Sequence, residues 1–361
     1  MKVLLRVGDI VSYLADMGWE RDPHGWQGAS IWRTADDYEV LVPGRDGMGD
    51  SDRRLREILR CLSVVEDRPA DDIAGDIAHP NADRQFFHTF PAGRDPGYTP
   101  LTSGAKALQG VRGVLGAATR TVLQGPHFAF AGRPPSVVTD ILRAAELGPS
   151  RAGSYIFEVR LATDAIAGVP GGEAVGGRAV VVQMLEAVSA VQTAVAAQDP
   201  SAFDETVTAG VSADFCRALS ELSGSGHDEP FQITFRWARA RPLDATSQSV
   251  AFPETAGSLL LAAAERLRGL NASGPATVTG IVEGLHDDAA SEDRWRMKVR
   301  GELRTAHLQR SRRAVWVRLG SQADYERAIA AHRERLVITV AGELSSTTGR
   351  VELVPERGFA L

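Results

Sequence analysis

Two cysteines in 361 residues, Cys61 and Cys216, are too few for a disulfide framework or a cysteine-rich zinc cluster. Each sits in a helix-like stretch, where a buried free thiol in a reducing, cytoplasmic setting is expected. Histidine is equally thin. The eight (His24, His79, His88, His127, His227, His286, His307, His332) are scattered, with no HExxH, no HxH and no cysteine at zinc spacing. No metal and no cofactor is therefore expected. Lysine is nearly absent: only Lys2, Lys106 and Lys298 among 40 basic residues. That skew points to a GC-rich genome, so arginine abundance alone carries no weight. A secretory signal is not expected, because Met1 to Met17 places Arg6 and Asp9 inside its apolar run and lacks a small-residue cleavage site. Long hydrophobic runs are missing too. The most apolar helix candidate, Arg178 to Ala197, is interrupted by Gln183, Glu186 and Gln192, so no membrane partner is expected.

What is present is an ordinary globular composition, 43% hydrophobic and 24% charged, in a chain with room for two or three domains. The net charge of −6 excludes a molecule that attracts nucleic acid as a whole, so any such partner must be engaged locally. The expected class is an α+β multidomain protein in three parts. Residues 1–82 form a small α/β N-terminal module, 95–268 a central α+β domain, and 276–361 a five-stranded OB-like β-barrel.

In the first part, Ile10, Val11, Leu14 and Met17 recur at helical spacing before Gly18. Two strand-like runs follow, Ala29 to Arg33 and Tyr38 to Pro43, around the turn-forming Ala35-Asp36-Asp37. Asp50, Ser51 and Asp52 offer N-caps for a helix from Arg53 to Glu66, and a second helix spans Ala70 to Ala78. This order, with Met17-Gly18-Trp19 and Gly28-Ala29-Ser30-Ile31-Trp32-Arg33, resembles the HicA family of small RNA-cleaving toxins over about residues 8–66. The resemblance implies a fold akin to the double-stranded-RNA-binding domain. That family carries a catalytic histidine where this chain has Ser30, so the resemblance implies no cleavage chemistry.

The prolines of Asp95-Pro96-Gly97-Tyr98-Thr99-Pro100 mark a boundary. Beyond it come helices at Ser103 to Leu123 and Pro134 to Leu147, a strand at Gly153 to Leu161 and a glycine-rich loop, Gly168 to Gly177. Helices at Arg178 to Ala197 and Pro200 to Leu222, a strand pair (Phe231 to Arg239, Ser249 to Phe252) and a helix from Ser258 to Leu267 complete this part. Its strands are too few and too scattered for a doubly wound parallel sheet. The seam Val181, Met184, Val188, Val191, Val195 is too short for an autonomous coiled coil and should pack on a neighbouring helix, self-association being the alternative.

Gly269 to Pro275 reads as a linker. The runs Ala276 to Leu285, Arg294 to Glu302, Ala314 to Leu319, Leu336 to Glu343 and Arg350 to Pro355, with a helix at Asp324 to Glu334 after the third, resemble an OB-fold in pattern. Over residues 275–361 the balance is 14 Lys+Arg to 12 Asp+Glu, against 40 to 46 for the whole chain.

The chemistry worth testing lies in that barrel. Strand alternation through Arg294-Trp295-Arg296-Met297-Lys298-Val299-Arg300 puts four cations on one face. The next strand adds Trp316 and Arg318 outside, with Arg310, Arg312 and Arg313 upstream. Cations that track phosphates beside an aromatic ring that stacks a base suit single-stranded nucleic acid. Arg294, Arg296, Lys298, Arg300, Trp316 and Arg318 are thus the expected contacts of a non-enzymatic nucleic-acid-binding or adaptor protein. The bland reading is a solvated face paired with Asp287, Asp288, Glu292 and Asp293. Elsewhere the signals are weaker. Gly168 to Gly177 fits neither the P-loop nor the dinucleotide pattern, and Glu173 would repel an anion. Gly210-Val211-Ser212-Ala213-Asp214 falls one glycine short of a nucleophile elbow and is expected inside a helical run. Two alternatives stand: an enzyme of hydrolase or nuclease class with a central site drawn from His127, Ser154, His227 and Asp228, and a scaffold subunit of a bacterial complex. The whole has the look of a bacterial multidomain protein.

Overall fold

The computed structural model describes residues 5–148, 155–168, 174–243, 247–271, 274–288, 294–305, 308–345, 352–356 and 358–360. It is a mixture of helices and strands with buried apolar side chains in three clusters.

The N-terminal cluster is enclosed by α1 (Val7–Asp16), a three-stranded antiparallel sheet of β1 (Glu20–Arg21), β2 (Ser30–Arg33) and β3 (Glu39–Val42), and the helices α2 (Ser51–Val65) and α3 (Ala70–Ala78). Ile10, Tyr13 and Leu14 of α1 are the buried face that helical spacing requires, and Gly18, at φ +79°, turns the chain out of the helix. The strand β1 is an addition to the sequence reading: two exposed residues carry no alternation to detect. Asp50 stands at the N-cap of α2, but its carboxylate turns to Arg53 and Arg54 and makes no cap bond.

The second cluster is built on a five-stranded antiparallel sheet. In chain order come β4 (Ala82–Thr89), α4 (Leu101–Gln124), α5 (Ser136–Ala144), β5 (Glu146–Leu147), β6 (Tyr155–Ala162) and the hairpin β7 (Ile166–Gly168)–β8 (Ala174–Gly176). Then follow α6 (Gly177–Ala196), α7 (Ala213–Ser220), β9 (Phe231–Arg236), β10 (Ser247–Phe252) and α8 (Ala256–Asn271). The sheet order is β10-β9-β4-β6-β5, so β4, which falls between the expected stretches 1–82 and 95–268, is its middle strand. Asp83, with no solvent exposure, receives two hydrogen bonds from Arg178 at the start of α6 (2.6 and 2.7 Å) and one from the Ala238 N–H (2.8 Å). A buried carboxylate is tolerable only when satisfied in this way.

Helix α6 is long and apolar enough to cross a membrane by composition, yet Val181, Met184, Val188, Val191 and Val195 all lie in this core. The seam is occupied from within the chain and is not a free surface. Where one helix was expected over Pro200 to Leu222, two 3-10 turns, Pro200–Phe203 and Glu205–Ala209, precede α7. Gly210, left-handed at φ +91°, makes the break, and Ser212 caps α7 by accepting from Phe215 N–H at 3.2 Å. The expected linker Gly269 to Pro275 is largely absorbed: α8 runs on to Asn271, and the next strand starts at Gly274.

The third cluster fills a closed barrel of β11 (Gly274–Asp287), β12 (Trp295–Thr305), β13 (Leu308–Leu319), β14 (Val337–Ser345) and β15 (Glu352–Pro355), with α9 (Gln322–Glu334) between β13 and β14. Its order, β11-β12-β13-β15-β14, includes a short parallel pairing of β13 with β15 and is compatible with an OB-like fold. Gly280 and Gly301 are register partners on the inner face next to the β12–β13 bulge, and a Cβ on Gly280 would stand 2.6 Å from Gly301 Cα. The strands can cross this closely only because neither carries a side chain. Gly280→Ala should therefore lower stability by about 1–3 kcal/mol, read as an earlier urea midpoint; an unchanged midpoint would show that the strands relax freely.

Candidate nucleic-acid interface

Strict alternation places the barrel's outer charges. Met297, Val299 and Leu303 of β12 and Val315, Val317 and Leu319 of β13 are buried inside, which leaves Arg296, Lys298, Arg300, Trp316 and Arg318 outside. Lys298 lies directly across from Trp316, and Arg296 from Arg318. The indole thus has cations along its flank, and His286 of β11 meets it edge-on with ring centroids 6.4 Å apart.

The cations are not bare. Glu283, at the β11 bulge, lies 3.3 Å from Lys298 Nζ and 2.5 Å from Arg300 Nη2. Glu352 of β15 lies 3.1 Å from Arg296 Nε and 3.4 Å from Arg318 Nη2. The Arg296–Glu352 contact is an ion pair by distance, while Arg296 Nε makes no hydrogen bond. Four cations against two carboxylates leave an excess of two positive charges on this face. The two pairings differ in access. Arg296 and Glu352 side chains are 19% and 14% exposed, whereas Lys298, Arg300 and Glu283 are 36%, 54% and 34% exposed. Exposed pairs of the second kind are weak and exchange readily with other anions. The hydrogen bond from Arg300, backed by Lys298, holds the Glu283 carboxyl below the ordinary glutamate value.

Arg294 turns elsewhere. It binds Asp287 at 2.6 and 3.2 Å, and its guanidinium lies over the ring of Trp295, which stacks on Tyr325 of α9. The side chains of Arg310, Arg312 and Arg313, and residues Glu292 and Asp293, fall outside the described residues. Three members of the site had escaped the sequence reading. Glu283 and His286 both follow from β11's register, but Glu352 comes into reach only through the β13–β15 pairing, which leaves no local trace.

The other candidates resolve into structural roles or lie apart. Ser30 Oγ accepts from Trp32 Nε1 at 3.0 Å inside the N-terminal core. His127 is bonded to Gly125 O and His227 to Ser220 O, each at 2.9 Å. No hydrogen bond joins His127, His227 and Asp228 to one another among the described residues, and Ser154 falls outside them. The flanks of the glycine-rich loop pair as the β7–β8 hairpin, while Val169 to Glu173 are outside the described residues. Among the described residues no three His, Cys, Asp or Glu side chains are grouped to hold a metal ion.

A carboxyl held down in this way stays ionised, and its pairing persists, above the unfolded value; the pairing is lost as pH falls through the lower folded value. An NMR titration should give Glu283 a midpoint below 4.5, and Arg300→Ala should move it up. A midpoint unmoved by that substitution would remove Arg300 as its partner.

Comparison of the chain with protein-family models, with curated proteins and with solved structures finds no match in any of the three.

Proposed function

We propose that the C-terminal barrel is an OB-like module that binds single-stranded nucleic acid on its β12–β13 face, as a binding or adaptor protein without chemistry of its own. One observation carries the reading. Arg296, Lys298, Arg300 and Arg318 surround Trp316 on two adjacent strands, and Glu283 and Glu352, which pair with them, stand on the flanking strands β11 and β15.

The arrangement suits one strand rather than a duplex. From β11 to β15 is three strand spacings of about 4.8 Å, roughly 14 Å between the rims. A single sugar–phosphate chain fits along that lane with a base on Trp316, whereas a duplex would press its phosphates onto Glu283 and Glu352. Stacking on an indole tolerates any base, so the affinity should depend little on sequence. Binding would exchange Glu283 for phosphate at Lys298 and Arg300, while Glu352 holds Arg296 and Arg318 in place and leaves their remaining guanidinium donors for phosphate. The alternatives, an enzyme with a central site and a scaffold subunit, have no assembled set of residues among those described to favour them.

Fluorescence anisotropy of a short labelled oligonucleotide across a salt series tests this. Apparent affinity should fall with salt, and Arg296→Ala/Lys298→Ala should flatten the log–log slope by about 1.4, the value for two phosphate contacts on a single strand. Glu283→Gln should tighten binding. Binding that is absent or indifferent to salt, or a Glu283→Gln variant that binds more weakly, would refute the reading.

A further inference from the structure

A second basic surface is already covered. Arg160 of β6, Arg84 of β4 and Arg236 of β9 are consecutive register partners, so three arginines stand abreast on three adjacent strands, on the sheet face turned to α3. Across the contact with the N-terminal unit the ion pairs run one way. Asp72 of α3 lies 2.6 Å from Arg236, Asp76 lies 2.8 Å from Arg84, and Asp16 of α1 pairs with Arg239. His79, just beyond α3, accepts from Arg160. In the pairs that cross the contact the arginines belong to the sheet side and the carboxylates to the N-terminal side, and Asp76 is shared with Arg68 of the N-terminal side. On the sheet itself Glu158 binds Arg84 at 2.7 Å and Glu146 pairs with Arg160, so among these pairs Asp72 is the partner of Arg236.

Apolar contact contributes little to the joint. Phe86, at its centre, is buried yet belongs to neither neighbouring apolar cluster; the guanidinium groups of Arg84 and Arg236 lie 5.1 and 5.4 Å from its ring centre. Gly75 lets α3 lie directly on the Arg84 guanidinium, where any Cβ would collide. Arg84 is 2% exposed, and its Nη2, like Arg236 Nη1, is buried without a hydrogen-bond partner. Two donors of fixed positive charge are thus left unsatisfied, an arrangement that costs stability and that an extra anionic oxygen would relieve. The junction between α3 and the sheet is short, and His79 is bonded on both sides of it, through its N–H to Gly75 O and through its O to Ala82 N–H. Pro80 O accepts from Ala240 N–H and Asn81 O from Thr163 N–H, both at 2.8 Å, so the chain is fixed to the central unit from Pro80 onward and His79 alone separates it from α3.

We propose that Arg160, Arg84 and Arg236 form a binding row for an oligophosphate group, that Asp72 and Asp76 occupy the places of its phosphates, and that α3 is an acidic cover which the ligand displaces from the sheet. The inference is independent of the barrel reading. The shared ligand chemistry is a run of phosphates, free or in a nucleic-acid backbone.

Hydrogen exchange on the full chain at matched ionic strength tests it. Tripolyphosphate is one arm; a short oligothymidylate on the Arg296→Ala/Lys298→Ala chain is the other, and the arm that acts identifies the source. Either ligand should speed exchange over residues 70–78 and leave α4 and α6 unchanged. Asp72→Asn/Asp76→Asn should speed exchange over 70–78 without ligand and tighten tripolyphosphate binding about tenfold, a gain that added Arg236→Ala should cancel. If the double variant does not fold, the exchange arms on the folded chains decide. Unchanged or slower exchange over 70–78 with both ligands would overturn the proposal, as would an Asp72→Asn/Asp76→Asn chain that binds tripolyphosphate no tighter.

Discussion

The central sheet exists because charge inside it is matched. The middle strand β4 carries Asp83 on one face and Arg84 on the other, both out of water, and each is tolerable only through partners from distant parts of the chain. Asp83 ties β4 to the first turn of α6 and to the chain after β9. Arg84 ties it to β6 and to α3. Removing either partner would strand a charge in the interior, which is far costlier than losing an ordinary surface pair. Helix positions, sheet order and the seating of the N-terminal unit all pass through this strand.

The barrel solves a different problem with the same means. Among the described residues its interior is apolar, so its shape is set by alternation, by the Gly280–Gly301 crossing and by the bulges of the β11–β12 and β12–β13 pairings. Charge is kept on the outer face, where water and Glu283 moderate it. In the sheet, arginine–carboxylate pairs fasten parts together; on the barrel, similar pairs around Lys298 and Arg300 are exposed enough to be traded for a ligand.

How far the sequence could be read follows from how local the determining forces are. The barrel was legible strand by strand because Met297, Val299, Val315 and Val317 alternate cleanly with charged or aromatic neighbours, and α1, α2 and α3 because their apolar stripes repeat at helical spacing. The strand β4 was not, since Asp83-Arg84-Gln85 carries no apolar alternation and its partners at 158, 178 and 238 lie far along the chain. The break at Gly210 was hidden by the four-residue step of Val207, Val211, Phe215 and Leu219, all of which end up buried although the helix is interrupted. On the candidate site, alternation put the cations and Trp316 on one face, but the turn of Arg294 toward Asp287 and the arrival of Glu352 depend on tertiary geometry.

Glu352 also comes late in the chain. It is the carboxylate that Arg296 and Arg318 share, and it enters the barrel only with β15, which follows β12, β13, α9 and β14. The carboxylate that draws Arg296 and Arg318 together beside Trp316 is thus supplied by the last of the five barrel strands in chain order, held in reach by the β13–β15 pairing.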